Sequence, residues 1–234
     1  MTPSNAKSYK KLLSPNSKLI DLKTDFGKWF CFTNETVKLW ITNKIGSYDR
    51  ILELIYPNVY KIDFEELFLY EETISYDHFV LISSNVEKVA LAYVVVRNKE
   101  VPYTIVPLEK FVKALPKVKE FEFHDKIGFS SFTKNTVKEL LTIPHFSKIS
   151  KINLHNIPET FDIETFFAFI KKNKISKCDL RFADTVSDEY KTRLEAIIDE
   201  ILQAENHDYK VPIFDFTGLD RQKWTKLRSL FDKN

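Results

Sequence analysis

The chain has 234 residues, of which 44% are hydrophobic and 29% are charged, and its formal net charge at neutral pH is +2. These values exclude a largely disordered chain and one that binds nucleic acid or an anionic membrane by overall charge alone. No apolar run approaches the ~18 residues of a membrane span, and the first residues lack the apolar core of a secretory signal. With two cysteines in apolar surroundings, we expect a soluble intracellular protein of the cytoplasm or nucleus, not attached to a membrane.

The N-terminal quarter of the chain differs from the rest. Residues 1–27 are polar and basic and are predicted to form a tail. Residues 28–42 predict a β-hairpin, since Val37, Leu39 and Ile41 alternate with other residues after a polar turn. Ser47 is a candidate cap for a helix over 48–55. We therefore expect residues 28–58 to cap the open end of a repeat array.

A six-residue pattern that occurs six times is the main signal in the sequence. Positions 1, 4 and 6 are apolar in every copy, position 5 is small or polar, and the copies begin 26 to 36 residues apart. The copies are residues 59–64, 86–91, 118–123, 149–154, 175–180 and 211–216. Repetition at this period indicates stacked units, because one unit cannot bury its apolar face alone.

Segments with helical spacing lie between the copies. Ser75, Asp162, Ser187 and Asp220 each precede such a segment and are candidate N-caps. The longest predicted helix begins after Ser187, with apolar residues on one side and charged residues on the other. The predicted order along the chain is therefore strand, connection, helix, strand.

That order has two solutions, and the strand pattern distinguishes them. A doubly wound nucleotide-binding sheet has nearly continuous apolar strands, because helices cover both its faces. Here polar residues separate the apolar positions, and there is no Gly-rich phosphate turn. We predict an α/β fold in which residues 59–234 form a short horseshoe solenoid. Its concave sheet is parallel, its helices lie outside, and the β-hairpin caps its N-terminal end within one domain.

The apolar spacing at positions 1, 4, 6 and often 9 resembles the leucine-rich repeat, and the unit length is most similar to the ribonuclease-inhibitor subclass. The ninth position is filled by Leu67, Val94, Ile157, Ala183 and Leu219. Residues 37–41 and 111–118 also resemble nematode F-box-associated proteins, in which a strand-rich segment is followed by irregular leucine-rich-like repeats. That resemblance implies an adaptor or substrate receptor whose repeats hold a protein. We expect no F-box in residues 1–27, which are too short and too polar for one.

Repeat positions 3, 5 and 7 are predicted to face the open side of the sheet, where a partner would bind. The candidate residues form a lysine column, an acidic and amide column, and a histidine and arginine set: Lys61, Lys88, Lys151, Lys177, Asp63, Glu122, Asn153, Asp179, His124, His155 and Arg181. Two interpretations are open: the columns pair with each other as a solvated surface, or they bind a protein. A second candidate surface consists of the aromatic residues Trp40, Tyr60, Tyr93 and Phe182.

No sequence motif for catalysis competes with the repeats. The chain has no Gly-x-Ser-x-Gly, His-Glu-x-x-His, Cys-x-x-Cys or phosphate-loop motif, so we expect no enzyme activity, cofactor or metal. The leading hypothesis is a protein–protein interaction scaffold, with the partner's identity and the oligomeric state left open. The alternative is a nucleic-acid-binding protein that uses the basic tail and the lysine column. An enzyme with an unrecognised site is the third hypothesis.

Overall fold

A computed structural model of the chain describes residues 22–23, 29–30, 39–48, 59–98, 104–173 and 175–233, with side chains described from residue 65 onward. Eleven strands lie within these residues. They are β1 (Leu22–Lys23), β2 (Trp29–Phe30), β3 (Leu39–Tyr48), β4 (Val59–Tyr70), β5 (Thr73–Ser75), β6 (Lys88–Ala92), β7 (Val95–Arg97), β8 (Glu120–His124), β9 (Lys151–Ile157), β10 (Lys177–Phe182) and β11 (Ile213–Asp215).

Seven of these strands form one parallel sheet. Their spatial order is β3, β4, β6, β8, β9, β10 and β11, so the strands of this sheet lie side by side in the order in which they occur in the chain. Two small sheets accompany it: β1 pairs antiparallel with β2, and β5 pairs parallel with β7. The predicted α/β class with a parallel sheet is confirmed.

Within the described residues, five helices lie between successive strands of the large sheet and a sixth follows β11. They are α1 (Tyr76–Ser83), α2 (Leu108–Lys113), α3 (Thr136–Leu141), α4 (Ile163–Lys172), α5 (Asp188–Gln203) and α6 (Arg221–Phe231), with a 3-10 turn at Phe146–Lys148. The four predicted N-caps are confirmed, because the side chains of Ser75, Asp162, Ser187 and Asp220 each accept a backbone N–H from the first turn.

Strands β4, β6, β8, β9 and β10 bury one face and leave the other partly exposed, whereas in β11 Ile213 is buried although it lies beside Asp179. In β8, Phe121 and Phe123 are buried, whereas Glu120, Glu122 and His124 are only half-buried. The buried strand residues and the apolar sides of all six helices form one core. Within the described residues the helices therefore cover one face of the sheet. The opposite side of the sheet, from β4 to β11, is called the open face below.

Phenylalanine rings connect the layers of the core. The ring centroids of Phe111 and Phe123 lie 5.7 Å apart, and Phe132 lies 5.8 Å from Phe123. The contacts continue from Phe132 to Phe161 at 5.7 Å and from Phe161 to Phe166 at 5.0 Å. These edge-to-face and tilted contacts are favourable ring geometries, and they join the part of the core between α2 and α4.

The predicted N-terminal cap is corrected in two places. Strand β2 pairs with β1, and β3 runs parallel to β4, so the described residues do not form the hairpin predicted over 28–42. Alternating apolar residues specify that a segment is a half-buried strand, but they do not specify its partner. Ser47 and Tyr48 end β3 and do not begin a helix, and residues 49–55 lie outside the described part of the chain, as does most of the 1–27 tail.

The register of β4 is also corrected. The first six-residue copy predicted that Lys61 and Asp63 align with Lys88 and Ala90. In the structure, Lys88 pairs with Glu66, and Lys61 and Asp63 pair with β3 instead. The cause is that β4 carries the apolar 1-4-6 pattern in two frames five residues apart, at 59, 62 and 64 and again at 64, 67 and 69. The side chains of Lys61 and Asp63 lie outside the described residues.

Candidate binding face of the sheet

The first row of side chains on the open face alternates in charge from β4 to β9 and ends in two adjacent lysines. From β4 to β10 it contains Glu66, Lys88, Glu120, Lys151 and Lys177 in register. The Lys88 ammonium lies 3.6 Å from both Glu66 and Glu120, and the Lys151 ammonium lies 3.8 Å from Glu120. The predicted lysine column is therefore interrupted by carboxylates in its own row. Exposed pairs of this kind contribute at most about 1 kcal/mol each to the stability of the fold. Their main effect here is to reduce the net positive charge of the row.

The second row is apolar at one end and acidic at the other. It runs through Phe68, Ala90, Glu122, Asn153 and Asp179. The Asn153 amide donates a hydrogen bond of 3.4 Å to Glu122. Arg181, two residues after Asp179, donates to both oxygens of the Asp179 carboxylate at 3.2 Å. The Asp179 carboxylate is therefore already paired with the Arg181 guanidinium. Glu122 is the other carboxylate of this row, and its hydrogen bond within the row comes from a neutral amide.

The third row contains rings and the guanidinium. It consists of Tyr70, Ala92, His124, His155 and Arg181. The His124 and His155 rings are stacked with centroids 3.9 Å apart. His124 Nε2 also lies 3.0 Å from a Glu122 oxygen, so the second and third rows are connected at β8.

The charge states of this cluster follow from its contacts. The hydrogen bond from His124 lowers the pKa of Glu122 to about 2, since it outweighs the opposing effect of burial. Glu122 is therefore ionised throughout the physiological range. Burial, together with His124 and Arg181, lowers the pKa of His155 to about 4, so His155 is neutral near pH 7.

Aromatic rings continue the third row along the ends of the strands. Tyr93 follows β6, and its ring lies edge-to-face at 5.8 Å from Tyr70 and 6.1 Å from His124. Its backbone has φ of 58°, a left-handed conformation that a bulky residue rarely adopts. The Tyr93 N–H donates to the His124 carbonyl at 2.9 Å, which holds this conformation.

The structure keeps most of the predicted site residues together. Nine of them lie on the open face in the predicted relative register: Lys88, Glu122, His124, Lys151, Asn153, His155, Lys177, Asp179 and Arg181. Of the predicted aromatic surface, Tyr93 is exposed but Phe182 is buried, while the side chains of Trp40 and Tyr60 lie outside the described residues.

Sequence reasoning missed two exposed aromatic residues on β4, Phe68 and Tyr70. They are 41% and 40% exposed, in line with Tyr93 at 39%. The signal was present in the second 1-4-6 frame of β4, which assigns residues 66, 68 and 70 to the open face. Choosing the first frame placed the open-face residues five positions too early.

A structured loop after β8 was also missed. Asp125 is buried and accepts hydrogen bonds from the Ser130 hydroxyl and, at 3.0 Å, from the Ser131 N–H. Burial raises the pKa of Asp125 to about 6. The loop closed by these bonds exposes Ile127, at 83%, and Phe129. No motif in the sequence predicts this arrangement, because it depends on which carboxylate is buried.

The described residues show neither a metal site nor a membrane-spanning helix. In the part of the chain that the structure describes, no three His, Cys, Asp or Glu side chains are placed to hold a metal ion. Among those same residues, no helix combines the length and apolar character needed to cross a bilayer. Comparison with protein-family models, curated proteins and solved structures finds no match to this chain.

Proposed function

We propose that this protein is a non-catalytic scaffold that binds a partner protein on the open face. The observation that carries the proposal is a parallel sheet whose strands follow one another in chain order while one face stays uncovered by the described helices. A short horseshoe solenoid of the leucine-rich-repeat type has this arrangement. Such a face offers a rigid, wide surface with fixed side-chain rows, which suits a protein partner.

The composition of the open face supports a protein partner over a nucleic acid. Phosphate binding needs a field of unpaired Lys and Arg side chains. Here Lys88 and Lys151 are paired with carboxylates in their own row, and Arg181 is paired with Asp179. The open face also carries exposed aromatic side chains and an arginine, and both residue types are enriched at interfaces between proteins.

The test compares two triple variants with the same change in charge. In the face variant, Lys151, Lys177 and Arg181 are each replaced by Glu. In the helix variant, the exposed Lys138, Lys172 and Lys226 on α3, α4 and α6 are replaced by Glu. Because only the first variant alters the open face, we expect it to lose proteins that the parent captures, while the helix variant retains them.

Quantitative mass spectrometry of pull-downs from an extract of the source cells measures this difference. Circular dichroism and thermal unfolding check that both variants are folded. Equal capture by the parent and the face variant would refute the open face as the binding surface. Fluorescence anisotropy with a labelled single-stranded oligonucleotide tests the alternative, and affinity that falls steeply with salt would favour a nucleic-acid-binding protein instead.

A further inference from the structure

The open face has a shallow depression at β6, because the residues that β6 contributes to the second and third rows are both alanine. In the register of the sheet, Ala90 lies between Phe68 and Glu122, and Ala92 lies between Tyr70 and His124. Because neighbouring strands are ~4.8 Å apart, the flanking strands are separated by about 10 Å. That separation leaves room for one long side chain above Ala90, while the Tyr93 ring, in contact with both Tyr70 and His124, closes the space at Ala92. We call this area the alanine gap.

One side of the alanine gap is aromatic. Phe68 and Tyr70 project from β4, and the Tyr93 ring closes the end of the gap, where it contacts Tyr70 on one side and His124 on the other. All three rings keep a large exposed fraction. The faces of Phe and Tyr rings carry partial negative charge, so they attract a cation as well as an apolar group.

The other side of the alanine gap is anionic. The Glu122 side chain is 39% exposed, and its hydrogen-bond partners are His124 and Asn153. The cations nearby already have carboxylate partners, since Lys88 contacts two glutamates and Arg181 is bound by Asp179. A carboxylate has lone pairs for about four hydrogen bonds, so Glu122 retains capacity for a donor from outside.

We infer that the alanine gap takes an arginine side chain from an extended segment of the partner protein. The inference rests on the proposed function and adds the chemistry of the partner. A guanidinium is planar, stacks on aromatic faces and donates paired hydrogen bonds to a carboxylate. An aromatic wall opposite a carboxylate wall therefore fits arginine better than it fits an apolar or an acidic side chain.

The first test uses two peptides of the sequence Gly-Ser-Xaa-Ser-Gly, acetylated and amidated, with arginine or citrulline at Xaa. Citrulline has nearly the same shape but no charge. With the alanine methyl groups of the whole chain labelled with 13C, NMR titration follows Ala90 and Ala92. We expect the arginine peptide to shift both signals saturably and the citrulline peptide to bind at least ~10-fold more weakly. Equal affinity for the two peptides, or no saturable shift up to ~10 mM, would overturn the inference.

Two variants with a matched control locate the site. Glu122→Gln should weaken binding of the arginine peptide by ~10-fold and remove its advantage over citrulline. Asp215→Asn makes the same acid-to-amide change elsewhere on the open face and should leave binding unchanged. Ala90→Phe fills the gap at a half-buried strand position that tolerates an aromatic residue, and it should abolish the shifts. Unchanged binding in Ala90→Phe would contradict the site.

Two further outcomes separate this inference from its alternatives. Concentration-dependent shifts of Ala90 and Ala92 without any peptide would assign the gap to a second copy of the chain and overturn the inference. A captured partner that is lost in the face variant but retained by Ala90→Phe would refute the arginine site and leave the proposed function intact. Capture that is unaffected by the face variant would instead refute the proposed function itself.

Discussion

The imidazole rings of His124 and His155 are stacked, with centroids 3.9 Å apart and planes 16° from parallel. The two residues are register partners on β8 and β9, so the stack follows directly from the parallel pairing. His155 is partly buried and lies near Arg181, and its pKa falls to about 4. A proton on His155 is therefore unfavourable in the folded chain.

We expect His155→Gln to reduce the loss of stability on acidification. Below its ordinary pKa of 6.5, His155 takes up a proton in the unfolded chain, whereas the folded chain resists protonation until about pH 4. The contribution of His155 to the stability of the parent therefore falls between pH 7 and pH 4.5. Because the ring is only half-buried, screening reduces this contribution to about 1–2 kcal/mol. Urea unfolding at both pH values measures it, and identical pH dependence in parent and variant would contradict the argument.

Asp125→Asn should have the opposite pH signature. Burial raises the folded pKa of Asp125 from 3.8 to about 6, so the folded chain binds the extra proton more tightly than the unfolded chain does. The contribution of Asp125 to the stability of the parent therefore rises as the pH falls from 7 toward 4, and Asn removes this contribution. Relative to the parent, we expect Asp125→Asn to be more stable at pH 8 than at pH 4.5 by about 1–2 kcal/mol. Thermal unfolding at the two pH values measures the difference, and a pH-independent difference would refute the assignment.

The register of β4 can be tested by cross-linking. Glu66 and Lys88 are direct neighbours, so cysteines at both positions should form a disulfide under mild oxidation. Lys61 lies five residues before Glu66 on β4, about 16 Å further along the strand, so cysteines at positions 61 and 88 should not form a disulfide. Mass spectrometry of the two variants, each with Cys31→Ser, gives the result. Cross-linking of the second pair would restore the register predicted from the first six-residue copy.

Asn156 provides a test of the backbone at the end of β9. Its φ is 60°, and its side-chain amide donates to the Asp125 carbonyl at 3.2 Å. Ala loses the hydrogen bond and also disfavours the left-handed backbone, for a cost of about 2–3 kcal/mol. Gly tolerates the backbone and loses only the bond, so it should cost about 1 kcal/mol. Denaturant unfolding distinguishes the two, and equal costs would refute the contribution of the backbone conformation.

The sequence predicted local features more reliably than pairings between segments. The four helix caps and the alternation in β6, β8, β9 and β10 were correct, because each depends on residues close together in the chain. The predicted pairing of β3 was wrong because alternating apolar residues do not specify a partner strand, and the predicted register of β4 was wrong because that strand has two apolar frames. Phe68 and Tyr70 were not predicted to lie on the open face, because the prediction used the first apolar frame of β4 instead of the second.

The charge pattern of the candidate site shows the same limit. Lys88, Lys151 and Lys177 were correctly placed in one row, but the row's charge depends on which residue of β4 and β8 stands beside each lysine. Once Glu66 occupies that row, the row alternates in sign at its β4 end. The buried carboxylate of Asp125 was not predictable for a related reason, since its surroundings are set by Ser130 and Ser131 in the folded loop.

The chain-order arrangement of the sheet has a consequence for how such a protein folds and changes in length. Each strand of the large sheet pairs with segments only a few dozen residues away in the chain, so loop closure between paired strands remains inexpensive. Duplication or deletion of one strand–helix unit would widen or narrow the exposed surface by about 4.8 Å without re-threading the rest of the chain.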